Sequence, residues 1–454
     1  MVFLTGGGSR ADIQSLVVLR PAAVLACGFG LWTLSRGHLR QYRFLFAFAG
    51  AIFFVVILHL VPLPPSVWGS LPGRELIVEI DRVAGLDKVW RPISMVPSAT
   101  WNALYSLFVP LAVLLLGVQL SREERFQLLP VFIALGLLSG FIGLLQVVGD
   151  PDGPLYFYNI TNNGSAVGLF SNRNHQAIFL ACLFPMLSVF AFAGLKTVEQ
   201  WRFRLWASIA AGAVLVPLLL VAGSRAGLLI GLFGLAAVPL LYRKPVFERP
   251  AKRKGRRINL TYIFAAVGVV ALGLLTILFA RAQAFERLIA LDQVEDLRLS
   301  IWGSIAQMSW KYFPIGSGVG SFVDIYQIDE PLGLLAPSYV NHAHNDWLEV
   351  FMTAGAIGLG LLAVALMAWA RASYLAWRMA GAGGRDASYA RMASWVVLMM
   401  ALGSVGDYPL RVPSITCFFI VAALWLFGER GKPNKPDMTG SNRDGSPDES
   451  RLAA

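Results

Sequence analysis

The feature that most constrains this chain is a succession of apolar blocks, each about as long as a bilayer is thick. A helix needs roughly 20 mostly apolar residues to cross the hydrocarbon core. Blocks of that kind lie at Ile13–Leu34, Phe44–Val61, Trp101–Leu120, Leu128–Val148, Gln176–Leu195, Leu205–Ala222, Ala226–Tyr242, Thr261–Ala280, Trp347–Ala370, Met392–Val405 and Ile415–Phe427. Inside lipid every backbone N–H and C=O must find its partner within the protein, which leaves helices as the spanning form for blocks of this length. With 56% hydrophobic and 14% charged residues, an ordinary soluble domain is excluded. The expectation is an all-α integral membrane protein of about 11 (10–12) transmembrane helices. Residues 1–428 form one polytopic domain, including a partly helical loop at 281–346. The polar tail 429–454 is too poor in apolar residues to fold and is expected to be disordered on the cytoplasmic side.

Lys and Arg in short connections stay preferentially on the cytoplasmic side and so set orientation. Arg36, Arg40 and Arg43 mark one such connection, Lys196, Arg202 and Arg204 a second, the segment from Arg243 to Arg257 a third, and Arg371, Arg378, Arg385 and Arg391 a fourth. All fall on one side if every block spans. The net charge of +11 therefore reads as membrane orientation, with no nucleic-acid partner expected. The segments Pro62–Thr100, Gly149–His175 and Arg281–Asp346 then face the periplasm or cell exterior, the N-terminus lies outside and the C-terminus inside. The first block is broken by Arg20 and Pro21 and lacks a small-residue cleavage site, so it is expected to enter the membrane as a span of its own. Cys27, Cys182 and Cys417 each sit within an apolar block and share no ligand spacing with one another or with histidine, which reads as three buried thiols.

Ionisable groups at the exterior ends of spans are costly to place there and are the natural candidates for chemistry. Arg225, in Val221-Ala-Gly-Ser-Arg-Ala-Gly227, occupies a tight exterior turn where orientation gives no reason for an arginine. It either snorkels to lipid phosphate or binds an anion in the site. In Asn341-His-Ala-His-Asn-Asp-Trp-Leu-Glu349, His344 precedes a helix start, and imidazole is the side chain suited to taking a proton near neutral pH. His342 carries that role instead or holds the turn, and Asn345 lies beside it. Asp346 and Glu349 have capping-box spacing and are expected to start the helix. No companion carboxylate or thiol makes the two histidines a metal site.

Leu297, Ile301, Ile305 and Met308 recur at helical spacing, so this part of the long connection is expected to form a helix on the membrane or on the bundle, with Arg298 riding on it. Arg298 otherwise pairs with Glu295 or Asp296 on a wet surface. Phe313-Pro-Ile-Gly-Ser-Gly-Val-Gly320 reads as a flexible turn, since no strand precedes it and no Gly-Lys-Ser/Thr follows. Gly168-Leu-Phe-Ser-Asn-Arg-Asn-His-Gln176 places Asn172, Arg173, Asn174 and His175 at the exterior mouth of the fifth span, to bind sugar hydroxyls or phosphates or to cap the span. Gly406-Asp-Tyr-Pro-Leu-Arg411 puts Asp407 and Arg411 on the same side.

Taken in order, these segments resemble the bacterial O-antigen ligase and O-antigen polymerase superfamily of inner-membrane glycan transferases. His342-Ala-His-Asn-Asp-Trp-Leu-Glu349 followed by Ala354-Gly-Ala-Ile-Gly-Leu-Gly360 is the most specific part. Gly168 to His175, Ser224-Arg-Ala-Gly227 and Pro314 to Gly320 match in order and placement. The resemblance implies a GT-C-like helical glycosyltransferase in the bacterial inner membrane. It would take a glycan from undecaprenyl diphosphate at the periplasmic face and pass it to a hydroxyl acceptor such as lipid A-core or a growing glycan chain, in O-antigen or exopolysaccharide biosynthesis. Neither cofactor nor metal is implied. The family's two key arginines correspond to Arg225 and Arg298, as diphosphate-binding groups, and its essential histidine to His344. At Arg173 the family motif often carries another residue. The rival reading from the helix count is a secondary transporter or lipid-linked glycan flippase, which would place its site near the midplane on broken helices within repeats. No clear repeat or mid-span charge is visible, and a passive structural component would leave Arg225, Arg298 and His344 without a reason.

Overall fold

The computed structural model describes residues 1–245, 247, 293–335, 339–378 and 384–428, without the side chains of 293–299. The eighth apolar block, Thr261–Ala280, most of the basic segment ending at Arg257, and the tail 429–454 lie outside the described residues.

The regular structure of the described chain is helical apart from one ladder of two residues per strand. In order it forms α1 (Val2–Thr5), α2 (Leu16–Thr33), α3 (Arg36–Gln41), α4 (Arg43–His59), β1 (Pro62–Leu63), α5 (Pro65–Trp68), α6 (Glu75–Ala84), β2 (Arg91–Pro92), α7 (Pro97–Gly117), α8 (Arg122–Val148), α9 (Arg173–Phe190), α10 (Val198–Ala222) and α11 (Arg225–Leu241). Then come α12 (Gln293–Lys311), α13 (Phe322–Asp329), α14 (Asp346–Arg378), α15 (Arg385–Gly406) and α16 (Pro413–Phe427). Six helices, α2, α7, α8, α10, α14 and α15, are long and apolar enough to cross a membrane, and α4, α11 and α16 are shorter apolar helices. This is a multi-pass, all-α membrane protein.

Several helices run past the apolar blocks that announced them, because polar residues at their ends find partners. The block beginning at Met392 is part of a helix that starts at Arg385, where the Arg385 guanidinium meets Glu123 at 2.6 Å, Arg122 meets Asp386 at 2.7 Å, and Arg391 Nε donates to the Ala376 carbonyl. The helix α2 likewise continues through Arg20 and Pro21, with Arg20 donating to Asn102 Oδ1 and Ser106 Oγ on α7. The Arg385–Glu123 and Arg122–Asp386 pairs tie the connection before α8 to the connection before α15 at one end of the bundle. At the other end the N-terminal segment is tied to the loop before α9 and to the start of α16. Gly7 N–H donates to the Tyr158 hydroxyl, Ser171 N–H to the Gly7 carbonyl, and Ser414 N–H to the Gly6 carbonyl.

The centre of the bundle is α9, in which every residue from Asn174 to Val189 is buried. Around it pack α8, α10, α11 and α15. A close approach is made by Gly227 of α11 against Ala177 of α9; a Cβ at Gly227 would overlap the alanine methyl. That contact, one turn into each helix, sets the start of α11 directly beside the start of α9.

The helix α14 is broken at Gly355, whose φ of 55° and ψ of −141° are open to glycine and strained for other residues. A break in a spanning helix frees carbonyls and amides that lipid cannot satisfy. The turn Pro314 to Gly320, expected to be flexible, is instead seated in this break. Ser317 N–H donates to the Met352 carbonyl, Gly318 N–H to Thr353, and the Pro314 carbonyl accepts from Ala356 N–H. Glycine is required by proximity on both sides, since a Cβ at Gly316 would collide with the Thr353 carbonyl and one at Gly355 with the Pro314 carbonyl. Ile301, Ile305 and Met308 of α12 are buried with Tyr312, Phe322 and Met352, so α12 lies on the bundle and does not float on the membrane.

Candidate functional site

The turn His342–Asn345 is held from both sides before α14 begins. The Ala343 carbonyl accepts from Trp302 Nε1 at 3.0 Å, and its N–H donates to Glu349 Oε2 at 3.0 Å. Asn345 caps the helix, its side-chain oxygen accepting from Leu348 N–H at 3.1 Å. This corrects the reading of Asp346 and Glu349 as a capping box. Asn345 is one residue closer to the turn and takes the capping role, which frees both carboxylates to pair elsewhere. Asp346 accepts from Arg411 Nε at 2.9 Å and Ser404 Oγ at 3.1 Å, while Glu349 meets Arg411 Nη1 at 3.1 Å and His342 Nδ1 at 3.2 Å. Arg411 therefore ties the loop between α15 and α16 to the first turns of α14.

His344 is the one non-glycine residue with positive φ among the described residues, at 48°. Such a conformation costs about 1–3 kcal/mol and persists only where surroundings enforce it. Here it brings His344 Nδ1 to 3.3 Å from Asp407 Oδ1. Asp407, fully buried at the end of α15, also accepts from Asn174 Nδ2 at 2.6 Å and from Tyr408 N–H at 2.9 Å. Burial by itself would push the Asp407 carboxyl up, but the imidazoles of His175 and His344 beside it hold it well below the usual carboxylate range. An ionised carboxylate only accepts, so the His344–Asp407 contact puts the proton on Nδ1 and leaves Nε2 as the basic nitrogen. His344 is partly open to solvent, with 19% of its side chain exposed, whereas His175 is sealed at 1%. Tyr408 lies among the rings of His342, His344 and His175, with centroids 4.3, 4.9 and 5.0 Å away.

The remaining sequence candidates fall around this cluster. Asn172 caps α9 by accepting from Asn174 N–H at 2.8 Å, and Arg173 is the first residue of that helix, its N–H donating to Asn162 Oδ1. Arg225 opens α11 next to the Ser224 cap, on a helix start that abuts α9 through Gly227 and faces Gly406 through Ala226, whose methyl a Cβ added at Gly406 would meet at 4.0 Å. Arg298 lies on α12, with its side chain outside the described residues. Thus three segments, around residues 174, 344 and 407, are joined by direct hydrogen bonds, and Arg225 is set beside them by helix packing.

Sequence reasoning did not single out Tyr408, Trp302 or the buried Glu349–Arg411 pair. Glu349 carried a signal, its capping-box spacing with Asp346 one turn into the helix. Tyr408 and Trp302 carried none, because their role depends on which segments the fold brings together. Among the described residues no three of His, Cys, Asp and Glu are arranged to hold a metal ion.

Comparison with curated proteins gives no match. A family model described as O-antigen ligase matches residues 210–363, the stretch from mid-α10 through the break in α14, which contains Arg225, Arg298, His342 and His344. The match supports the O-antigen ligase and polymerase superfamily of membrane glycan transferases for this chain.

Proposed function

We propose that this protein transfers a glycan from undecaprenyl diphosphate to an acceptor hydroxyl at the periplasmic face of the bacterial inner membrane, as an O-antigen or exopolysaccharide ligase or polymerase. About eleven spans in a GT-C-like arrangement, with the His344 end of the bundle outside, go with this reading. The observation that carries it is the His344–Asp407 pair at the head of α14, next to the start of α11 where Arg225 stands.

The acceptor hydroxyl gives its proton to His344 Nε2 as its oxygen bonds the anomeric carbon, and the bond from that carbon to the diphosphate oxygen breaks. Undecaprenyl diphosphate leaves with the electron pair. Asp407 is a positioning residue, holding the tautomer and stabilising the imidazolium that forms. Arg225 and Arg298 neutralise charge on the diphosphate, for which the planar guanidinium offers paired donors. Asn174 and His342 fix Asp407 and the turn, and Arg173, Asn172, Asn345 and Arg411 shape the rim. The acceptor is lipid A-core, a growing chain or another hydroxyl.

The test is transfer from a labelled undecaprenyl-diphosphate oligosaccharide by the purified protein in lipid, alongside Arg225→Ala and His344→Ala. Loss of a general base costs about 100- to 10,000-fold. A ladder of products identifies a polymerase and a single adduct a ligase. Near-full rate in His344→Ala sinks the assignment of the base, and lipid flipping without transfer overturns the enzyme.

A further inference from the structure

The excursion Pro62–Pro92 leaves the bundle between α4 and α7 and takes no part in the histidine cluster. Its base is closed by the antiparallel β1–β2 pair and by Trp68, whose Nε1 donates to the Pro92 carbonyl at 2.6 Å. Arg74, fully buried, donates to the carbonyls of Pro72, Ile93 and Gly316, which ties the start of α6 to the glycine turn seated in α14. The excursion is thus fixed in place on the His344 side of the bundle.

Only one side of α6 meets the protein. Asp81 is buried and pairs with Arg91, and Val78 rests on Gly69. At 3.6 residues per turn, Leu76, Ile80 and Val83 share a second face, exposed by 51%, 54% and 82%, while Glu75, Glu79 and Arg82 share a third. Glu79 and Arg82 pair at 3.7 Å, which leaves the polar face with the single negative charge of Glu75. Beyond the helix, Leu86, Val89 and Trp90 are exposed as well. This apolar run is continuous along the chain with the outward side chains of the flanking helices, Phe54 and Ile57 on α4 and Trp101 and Tyr105 on α7, which face lipid in a spanning bundle. Trp and Tyr gather at the level of the headgroups.

We propose that α6 and the turn through Trp90 lie in the plane of the bilayer surface on the His344 side, with Leu76, Ile80, Val83 and Trp90 in the boundary between headgroups and acyl chains. The partner is a lipid surface, held by apolar burial. With one net negative charge on its polar face, the helix offers nothing to an anionic headgroup. The proposal rests on the membrane bundle and not on the transfer chemistry, so it stands or falls separately from the proposed function.

The full chain in phosphatidylcholine vesicles, spin-labelled one position at a time at Ile80→Cys, Val83→Cys and Glu79→Cys, tests this by relaxation with oxygen and with a nickel chelate. Cys27, Cys182 and Cys417 are buried and can remain. Labels at 80 and 83 should show an oxygen-to-nickel accessibility ratio several-fold above that at 79, unchanged when anionic lipid is added. Equal ratios at the three positions overturn the proposal. So does dipolar coupling between labels at 80 or 83 of two copies, which would make the face a contact between chains.

Discussion

Replacing Asp407 by asparagine preserves shape while removing the charge on which three donors converge. In the native site one carboxylate oxygen accepts from Asn174 Nδ2 at 2.6 Å, and the other serves Tyr408 N–H at 2.9 Å and His344 Nδ1 at 3.3 Å. An amide offers only one accepting atom. Asn174 can answer by turning its own amide, and the amide oxygen at 407 can still accept from Tyr408 N–H and His344 Nδ1, so what the substitution removes is the negative charge that stabilises the imidazolium formed when His344 takes the proton. The base keeps its place but is weakened. A hydrogen bond to a charged group is worth about 1.5–3 kcal/mol, which at about 1.36 kcal/mol per tenfold corresponds to a rate loss of roughly 10- to 150-fold. Glycan transfer in vesicles, measured for Asp407→Asn, His344→Ala and the double variant, checks this. Because the two residues act as a unit, the double variant should be no slower than His344→Ala alone. A folded Asp407→Asn protein that transfers at the native rate, or losses that multiply in the double variant, would refute the positioning argument.

The same carboxylate sets a pH dependence of stability. Its folded-state pKa is lowered, so its contribution is complete above the unfolded carboxylate range and is lost as pH falls through the folded value. The gap in thermal midpoint between the native protein and Asp407→Asn should be constant from about pH 5 to 7 and shrink below about pH 4; a gap that widens in acid would contradict this. Gly355→Ala should destabilise, by about 1–2 kcal/mol for the left-handed φ alone and more for the collision with Pro314. Gly360, with open space around its Cβ position, is the control: Gly360→Ala should leave the thermal midpoint unchanged or raise it. Equal effects would mean that the break in α14 is not fixed by its glycine.

The membrane class was legible in the chain because spanning lipid demands long apolar runs, a one-dimensional property. Helix ends were legible only where apolar character coincides with helix. At Arg385 the helix runs on because its charge meets Glu123 across the bundle, and no local pattern encodes a partner 262 residues away. The segments containing His344, Asn174 and Asp407 stood out as polar clusters at span ends. That they converge on one buried carboxylate was decided by the packing of α9, α14 and α15. The glycines at 316, 318 and 355 illustrate the same division. The sequence marked them as a turn and a small-residue span, but only the fold shows the turn filling the broken helix, because satisfying freed backbone groups in lipid requires a second segment in exactly the right place.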